Sequence, residues 1–576
     1  MNGLDEVTEP CELVCRVGDD TERGFRMRHL FRRRDVDSAA SNARPNELVY
    51  SETFVTISEA RIISPCKVRF FLPGEEVCTP YDRDGTACCF FITHRMTDVP
   101  PLEFIEISQV PESFKQGYEP NDTAIPKLKG LDLFCGGGNF GRGLEEAGFM
   151  DYNWANDISH DAMRTYMANV KPGSRIKPFV GSIDDLVAST LKGTSRDNIP
   201  SIGEVDFISG GSPCQGFSAL TNDKTADVQL KNQSLVAAFA SCVDIHRPRY
   251  GVLENVTGII QNNQHRGRDV CSQLICALVG MGYQLRLCYT EAYSFGASQR
   301  RGRIFIVFTR GGLELPKPPL ESHTTPPTGY VRSFGRLPTG EGMIQPGDDR
   351  PRPFRFRSAR EECKDLPPIH DGKVDICVPF PDHRIPIGMT DTLQRRVVRI
   401  PICPYGMNFS KAFYGEGGVN GAKPVIPYSD GTVFSDSLHV HSSKTALNVS
   451  RQSNMLGRMY PDRLIETIVT KCSPMDAKHG RVLHWEEPRV ISLMEARRAQ
   501  GFRDEEIILG TPDQAYRIVG NSVPRQVALA LGVSFADAHR TKLEIELGNP
   551  AANSYDTDKG KKLVRRHPDG SSEEAE

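Results

Sequence analysis

Hydrophobic positions change their spacing three times along the chain. Up to about residue 115 they come in short runs of β-branched and aromatic residues, at 48–51, 52–57, 66–72 and 87–92. Pro73-Gly74 and Asp82-Arg83-Asp84-Gly85 punctuate them as turns, so the spacing predicts a β-rich module. Residues 101–127 are polar and Pro-containing and read as a linker, with the firmest break at 116–127. From residue 128 apolar runs of strand length alternate with helix-period segments. A strand at 129–134 leads through glycines to a helix at 139–148, where Phe140, Leu144 and Ala147 share a face. A strand at 152–155 and a helix at 160–169 follow, and the alternation continues through strands at 179–180, 205–209, 250–253, 284–287 and 304–308 and helices at 233–247 and 270–281. This predicts an α/β fold with a mostly parallel, doubly wound sheet. The periodicity fails over about 311–460, where Pro, Gly and Thr dominate. It returns with a helix at 488–500, a strand at 516–519 and a helix at 526–539. The expected organisation is a module over 1–115, a linker over 116–127, the α/β domain over 128–312, an irregular domain over 313–462, a returning part of the α/β domain over 463–545 and a disordered tail over 546–576.

Composition changes this picture little. The 576 residues are 39% hydrophobic and 25% charged with a net charge of −3, which favours no class of partner. Between residues 296 and 411, however, 19 Lys and Arg face 12 Asp and Glu. That excess suits either a phosphate backbone or a solvated loop surface. Arg26, Arg28, Arg32, Arg33 and Arg34 likewise read as a solvated face or a binding patch, and Lys559, Lys561, Lys562, Arg565 and Arg566 as a solvated tail or a nuclear localisation signal. The 16 cysteines contain no CxxC pair, so no metal site is expected. The first residues lack the basic and apolar regions of a signal peptide. No apolar run approaches the ~18 residues of a membrane span. An intracellular protein with reduced thiols is expected.

Two features carry candidate chemistry. Residues 206–218 read as a buried strand ending in Gly210-Gly211-Ser212-Pro213-Cys214-Gln215, which places the Cys214 thiol at the strand's carboxyl end, where open α/β sheets bind ligands. A lone cysteine is most often a packing residue. The second feature is the βαβ unit, with its glycine turn Gly136-Gly137-Gly138 and the acid Asp157 closing the second strand, an arrangement that can hold a ribose. The spacing is not GxGxxG, which leans away from dinucleotides but does not by itself choose among NAD, FAD and S-adenosylmethionine.

Six motifs stand in one order: Asp132-Leu133-Phe134-Cys135-Gly136-Gly137-Gly138, Asn156-Asp157, Ser212-Pro213-Cys214-Gln215, Glu254-Asn255-Val256, Gln299-Arg300-Arg301-Gly302-Arg303 and Gly520-Asn521-Ser522-Val523-Pro524. The set resembles the cytosine-C5 DNA methyltransferases over 128–312 and 462–540, with a variable target recognition domain between. That resemblance implies a Rossmann-like methyltransferase fold, S-adenosylmethionine as cofactor and double-stranded DNA as substrate. It makes Cys214 the nucleophile toward C6 of cytosine, Glu254 the acid at N3, Asn255 the residue that fixes its loop, and Arg303, with Arg301 beside it, the binder of the cytosine O2. In the cofactor pocket it implies Phe134 on the adenine, Gly136 and Gly138 facing the methionine end, and Asp157 on the ribose. Ile158, Ile183 and Pro213 lie along the pocket, and Asn521 and Ser522 close it. Ser182 departs from the family, which often has an acid there for the adenine amino group; Asp184 or Asp185 could substitute. Ile158 stands where an aromatic residue is common.

The N-terminal order Met27 to Asp35, Asn46 to Ser51 and Ile63 to Val68 resembles bromo-adjacent homology domains, small chromatin-associated β modules, which implies chromatin or histone tails as further partners and a nuclear location. Gly138-Asn139-Phe140-Gly141-Arg142-Gly143-Leu144 looks closest to fungal members of the repeat-induced silencing (RID/Masc) type. Two other readings use the same fold: a catalytically silent chromatin-binding protein and an RNA cytosine methyltransferase. Because Asn521 and Ser522 must fold back beside the first strand, truncation before residue 520 is expected to abolish S-adenosylmethionine binding, measured by calorimetry.

Overall fold

The computed structural model describes residues 9–17, 24–58, 61–63, 66–78, 81–82, 84, 89–97, 100–115, 126–171, 173–193, 197–213, 217, 226–260, 269–326, 352, 354–372, 377, 379–413 and 453–546. The N-terminal module holds two sheets. One orders β1 (Cys11–Val17), β2 (Gly24–His29) and β5 (Phe54–Ser58) as an antiparallel sheet. The other orders β3 (Phe31–Arg32), β4 (Glu47–Tyr50), β7 (Cys89–Met96) and β6 (Lys67–Phe70), with β8 (Phe104–Glu106) added to β7. A single turn, α1 (Arg33–Val36), follows β3. Leu30, Leu48, Phe70, Ile92 and Ile107 form the module's core. β8 lies in a polar, Pro-containing stretch but inside the expected module of residues 1–115.

The arginine cluster is mostly internal to this module. Arg28 pairs with Glu12 at 2.6 Å and Glu52 at 3.2 Å and lies over the Tyr50 ring. Arg33 pairs with Glu47 at 2.7 Å and Asp37 at 3.2 Å, and Arg26 stacks on Phe54. Ion pairs thus neutralise Arg28 and Arg33, while Arg26 and Arg34 stay exposed.

The central sheet orders seven strands: β11 (Lys177–Val180), β10 (Met150–Asp157), β9 (Leu128–Leu133), β12 (Phe207–Gly211), β13 (Tyr250–Asn255), β15 (Gly302–Arg310) and β14 (Tyr283–Glu291). Neighbours run parallel except β15, which is antiparallel to both β13 and β14. Side chains alternate between two faces, and both faces are covered. Ile304, Ile306 and Phe308 of β15 enter one core and Phe305 and Val307 the other. Burial on both sides explains why these strands read as unbroken apolar runs. Between them come α2 (Asn139–Glu145), α3 (His160–Ala168), α4 (Ile183–Leu191), α5 (Asp227–His246) and α6 (Val270–Gly280). After β9 the chain builds outward through β10 and β11, then returns to place β12 on the other side of β9. That reversal opens a crevice at the carboxyl ends of β9 and β12.

The irregular region contains α7 (Ala359–Cys363), α8 (Asp391–Arg399) and α9 (Phe409–Phe413), and the return contains α10 (Leu493–Ala499), α11 (Pro512–Asn521) and α12 (Arg525–Glu546). The two share one core, in which Val397, Ile400 and Phe409 meet Leu456, Leu483, Ile491 and Val519. The expected boundary at 462 therefore does not coincide with a break in packing. The strand expected at 516–519 is corrected to the second half of α11. Thr511 and Gln514 form a capping box and Pro512 opens the helix, signals that outweigh a short β-branched run. α12 packs against α2 so closely that a Cβ on Gly143 would lie 2.8 Å from the Arg525 carbonyl oxygen. The expected tail beyond 546, with its basic cluster, lies outside the described residues.

Burial lowers the pKa of His246, His323 and His484 to about 4 in each case. The unfolded chain then binds more protons between about pH 4 and 6.5, so folding stability increases as pH rises through that window. Thermal unfolding is expected at a higher temperature at pH 7 than at pH 5, and replacing His484 with Gln should shrink the difference.

Candidate active site

The crevice is a cleft of about 1580 Å³ along the carboxyl edge of the sheet. The first wall is the turn after β9. Phe134 there has φ 52° and Gly136 φ 55°, and nothing lies within 4 Å of where a Cβ on Gly136 would stand. A left-handed backbone costs Phe134 roughly 1–2 kcal/mol, and glycine avoids that cost. Asp157 ends β10 alongside. One of its carboxylate oxygens accepts from the Gly136 amide at 2.8 Å and the other from the Ser159 amide at 2.8 Å. Burial raises its pKa, opposed by those amide hydrogen bonds. Each oxygen retains accepting capacity toward the cleft. Ile158, beside it, is 74% exposed and also lines the cleft.

The second wall comes from β13 and β15. Glu254 is buried, and its Oε1 lies 2.9 Å from Arg303 Nε. Burial raises the Glu254 pKa, and the charges of Arg303 and Arg301 oppose the shift. The carboxyl is thus poised between proton donor and ion-pair partner. Asn255 Nδ2 donates to Ser212 Oγ at 2.8 Å, which ties the loop after β12 to the end of β13. Downstream, Phe217 is fully buried, and a Cβ on Gly258 would lie 2.1 Å from its carbonyl oxygen. Cys214 and Gln215 lie outside the described residues. Their described flanks, Ser212-Pro213 and Phe217, are anchored beside Glu254's strand.

The third wall is the return. Asn521 and Ser522 line the cleft, and Ser522 Oγ donates to the Ile518 carbonyl at 2.8 Å. Arg301 also lines it, but its guanidinium donates to the carbonyls of Ile468 at 2.8 Å and Gly520 at 3.1 Å. It lines the cleft together with Arg303 and its charge acts on Glu254, and it also staples the return to the sheet edge. Gly138, by contrast, is corrected. It is not among the cleft's lining residues, and the space a Cβ would need is taken by Arg142 Nη1 at 2.5 Å and Tyr166 at 2.7 Å. Ser182 and Ile183 line the cleft, but Ser182 Oγ accepts from the Asp185 amide at 3.0 Å as the cap of α4. Asp184, one of its two proposed substitutes, faces the cleft; Asp185 is not among the lining residues.

Sequence reasoning missed several lining residues. Tyr289 and Glu291 come from β14, Asn454 from the irregular region, and Lys478 and His479 from the return. The signal for the last two lay in Asp476 and Gly480, turn formers around an otherwise featureless loop. Asp476 Oδ1 accepts from the Lys478 and His479 amides at 2.7 and 2.8 Å. Asp132, within the glycine motif, was also passed over. It is fully buried, accepts from Ser209 Oγ at 2.7 Å, and burial raises its pKa to about 7.

One cleft thus holds the glycine turn, the Asp157 carboxylate and a buried carboxyl–guanidinium pair. Residues 128–341 and 424–535 match the family model of C-5 cytosine-specific DNA methylases. The chain is 27% identical over 476 residues to DNA (cytosine-5)-methyltransferase PliMCI of Paracentrotus lividus, covering 73% of this chain and 29% of that protein. It is 28% identical over 481 residues to DNA (cytosine-5)-methyltransferase 1 of Mus musculus, covering 71% and 28%, and 28% identical over 462 residues to DNA (cytosine-5)-methyltransferase 3 of Arabidopsis thaliana, covering 72% and 31%. It spans less than a third of the length of these relatives.

Replacing Arg301 with Ala removes the donor to two carbonyls. Leaving them buried is expected to cost about 1–3 kcal/mol, read as a lower denaturant midpoint.

Proposed function

The chain belongs to the C-5 cytosine-specific DNA methylase family, and from that premise we propose that it transfers a methyl group from S-adenosylmethionine to C5 of cytosine in double-stranded DNA. The observation that carries the proposal is the buried Glu254–Arg303 pair at the end of the strand next to the Cys214 loop. C5 of cytosine is a poor nucleophile until the 5,6 bond becomes enamine-like. In the proposed mechanism the Cys214 thiolate adds to C6, and the displaced electron pair moves to N3, where Glu254 delivers a proton. Arg303 lies against O2, where negative charge grows, and keeps the carboxyl oriented. Asn255 holds the loop through Ser212. The cofactor, when bound, supplies an electrophilic methyl group at its sulfonium. Loss of the C5 proton to water and departure of the thiolate then restore the aromatic ring.

The cofactor fits the residues present. Asp157 offers acceptor capacity for ribose hydroxyls. The open side of Gly136 leaves room for a ligand to approach the backbone. Ile158 presents an apolar surface that water covers at a cost unless a ring does so. In a duplex C5 and C6 are stacked, so the target must swing out, at about a few kcal/mol, to reach a pair as buried as Glu254 and Arg303.

The finer readings rest on the sequence order of the N-terminal module and the glycine motif. On them the chain is a RID/Masc-type silencing enzyme of the nucleus, whose bromo-adjacent homology module meets chromatin or histone tails.

Purified protein with labelled S-adenosylmethionine is expected to label duplex DNA and not transfer RNA, and Cys214→Ala should abolish the transfer. Cofactor binding without transfer to any duplex would favour a silent chromatin protein instead. Glu254→Gln is expected to lower kcat about a hundredfold. Because the Glu254 pKa is raised and the acid form donates, the rate should fall as pH climbs above that pKa, a limb that Glu254→Gln should flatten in a pH–rate profile.

A further inference from the structure

Behind the glycine turn, on the side away from the cleft, two carboxylates and two guanidiniums are buried together. Arg142 Nε lies 2.8 Å from Glu506 Oε1, and the same oxygen lies 2.7 Å from Arg525 Nη1. Arg525 Nη2 lies 2.6 Å from Glu146 Oε1, which also receives the half-exposed Arg503 at 2.6 Å. Arg142, Glu146, Glu506 and Arg525 are each at most 11% exposed in their side chains. Burying charges at such a place rarely pays in stability, since an apolar cluster of similar volume is often as good or better. Arg142 Nε and Nη2 both lack a hydrogen-bond partner among the described residues, so Arg142 meets Glu506 as an ion pair alone and part of its desolvation cost stays uncompensated.

What the cluster does hold is backbone. Arg142 Nη1 donates to the Gly137 carbonyl at 2.9 Å, in the middle of the turn whose next face is the cofactor cleft. Gly138, with φ 83°, leaves the space that this guanidinium fills. Asn139 Nδ2 donates to the carbonyls of Gln500 and Val523, each at 2.8 Å, and Val523 directly follows the cleft residues Asn521 and Ser522. Glu506 Oε2 accepts from the Arg503 amide at 2.7 Å, which fixes the loop the carboxylate sits on. The ion cluster, with Asn139 beside it, therefore connects the glycine turn that carries Phe134 and Gly136 to the wall made by residues 518–523, almost four hundred residues later.

We propose that Arg142 and Glu506 are positioning residues that set the width of the cofactor pocket by holding the glycine turn against the return segment. They touch neither DNA nor the reacting atoms. Their loss acts on the cofactor before it acts on anything else. The inference rests on the assignment of S-adenosylmethionine to this cleft.

The test uses the full chain and S-adenosylhomocysteine, measured by calorimetry without DNA, together with steady-state methylation of a duplex. Glu506→Gln keeps shape and removes charge. Arg142→Lys keeps charge, but a single ammonium cannot replace the fork between Gly137 and Glu506. Each is expected to weaken S-adenosylhomocysteine binding and raise KM for S-adenosylmethionine roughly tenfold or more, with kcat at saturating cofactor and KM for DNA within about twofold of the unaltered protein. Glu506→Asp should recover part of the loss. If Glu506→Gln does not fold, the Arg142→Lys pair of constants decides. Unaltered cofactor affinity in a folded Arg142→Lys protein, or equal losses in cofactor and DNA constants, would overturn the inference while leaving the site assignment intact. Failure of the unaltered protein to bind S-adenosylhomocysteine would overturn the assignment, and the inference with it.

Discussion

The structure depends on one seam, where the returning chain docks against β9 and α2. The parallel sheet leaves a crevice at the carboxyl ends of β9 and β12, but a crevice in an open sheet has one side missing. Residues 465–523 supply that side. Their hold is polar at the edge, through Gln299, Arg301 and Asn139 on main-chain carbonyls, and apolar behind it, through Val523, Val527 and Leu531 in the core with Phe140 and Leu144. Close approach at Gly143 lets the two helices meet without intervening side chains. If the seam loosens, the ribose wall and the return wall separate together.

Electrostatics make the rest of the site specific. Glu254 and Arg303 lie in a place where either charge alone would be costly, so each is kept by the other. Part of the basic excess noted between 296 and 411 is treated in the same way. Arg303 is taken up by Glu254 at 2.9 Å and Arg360 by Glu486 at 3.5 Å. Asp365 and Asp382, by contrast, are taken up by Arg498 and Arg497 of the return, so the pairs within the fold use only part of the excess that a phosphate backbone could meet.

Most of the α/β domain was legible because its strands are buried on both faces, and a run such as Ile304 to Phe308 has few other fates. The motifs were legible as well, since Asp157 and Glu254 lie at the carboxyl ends of their strands and Arg303 at the start of an antiparallel one, and the fold brings those ends to one edge. Three things were not. β2 alternates apolar and basic residues, Phe25-Arg26-Met27-Arg28, and the charge masked a period of two. Residues 516–519 looked like a strand because the local β-branched run was weighed above the cap at Thr511. Gly138 reads as ligand-facing from its motif, when the space beside it accommodates a guanidinium. In each case the deciding partner lay outside the run or motif itself.

The order in which the chain is made also matters. Phe134, Gly136 and Asp157 leave the ribosome several hundred residues before Asn521 and Ser522, and contacts of such separation form late because a long loop must close first. A nascent chain ending at residue 312 would carry the complete seven-stranded sheet but only half of its cleft. Its exposed crevice and the bare face of α2, with Phe140 and Leu144 uncovered, would be surfaces for chaperones to shield until α12 arrives. Assembly of the cleft is then the last event of folding, and a chain that stalls before that event is folded over most of its length yet lacks one side of its cleft.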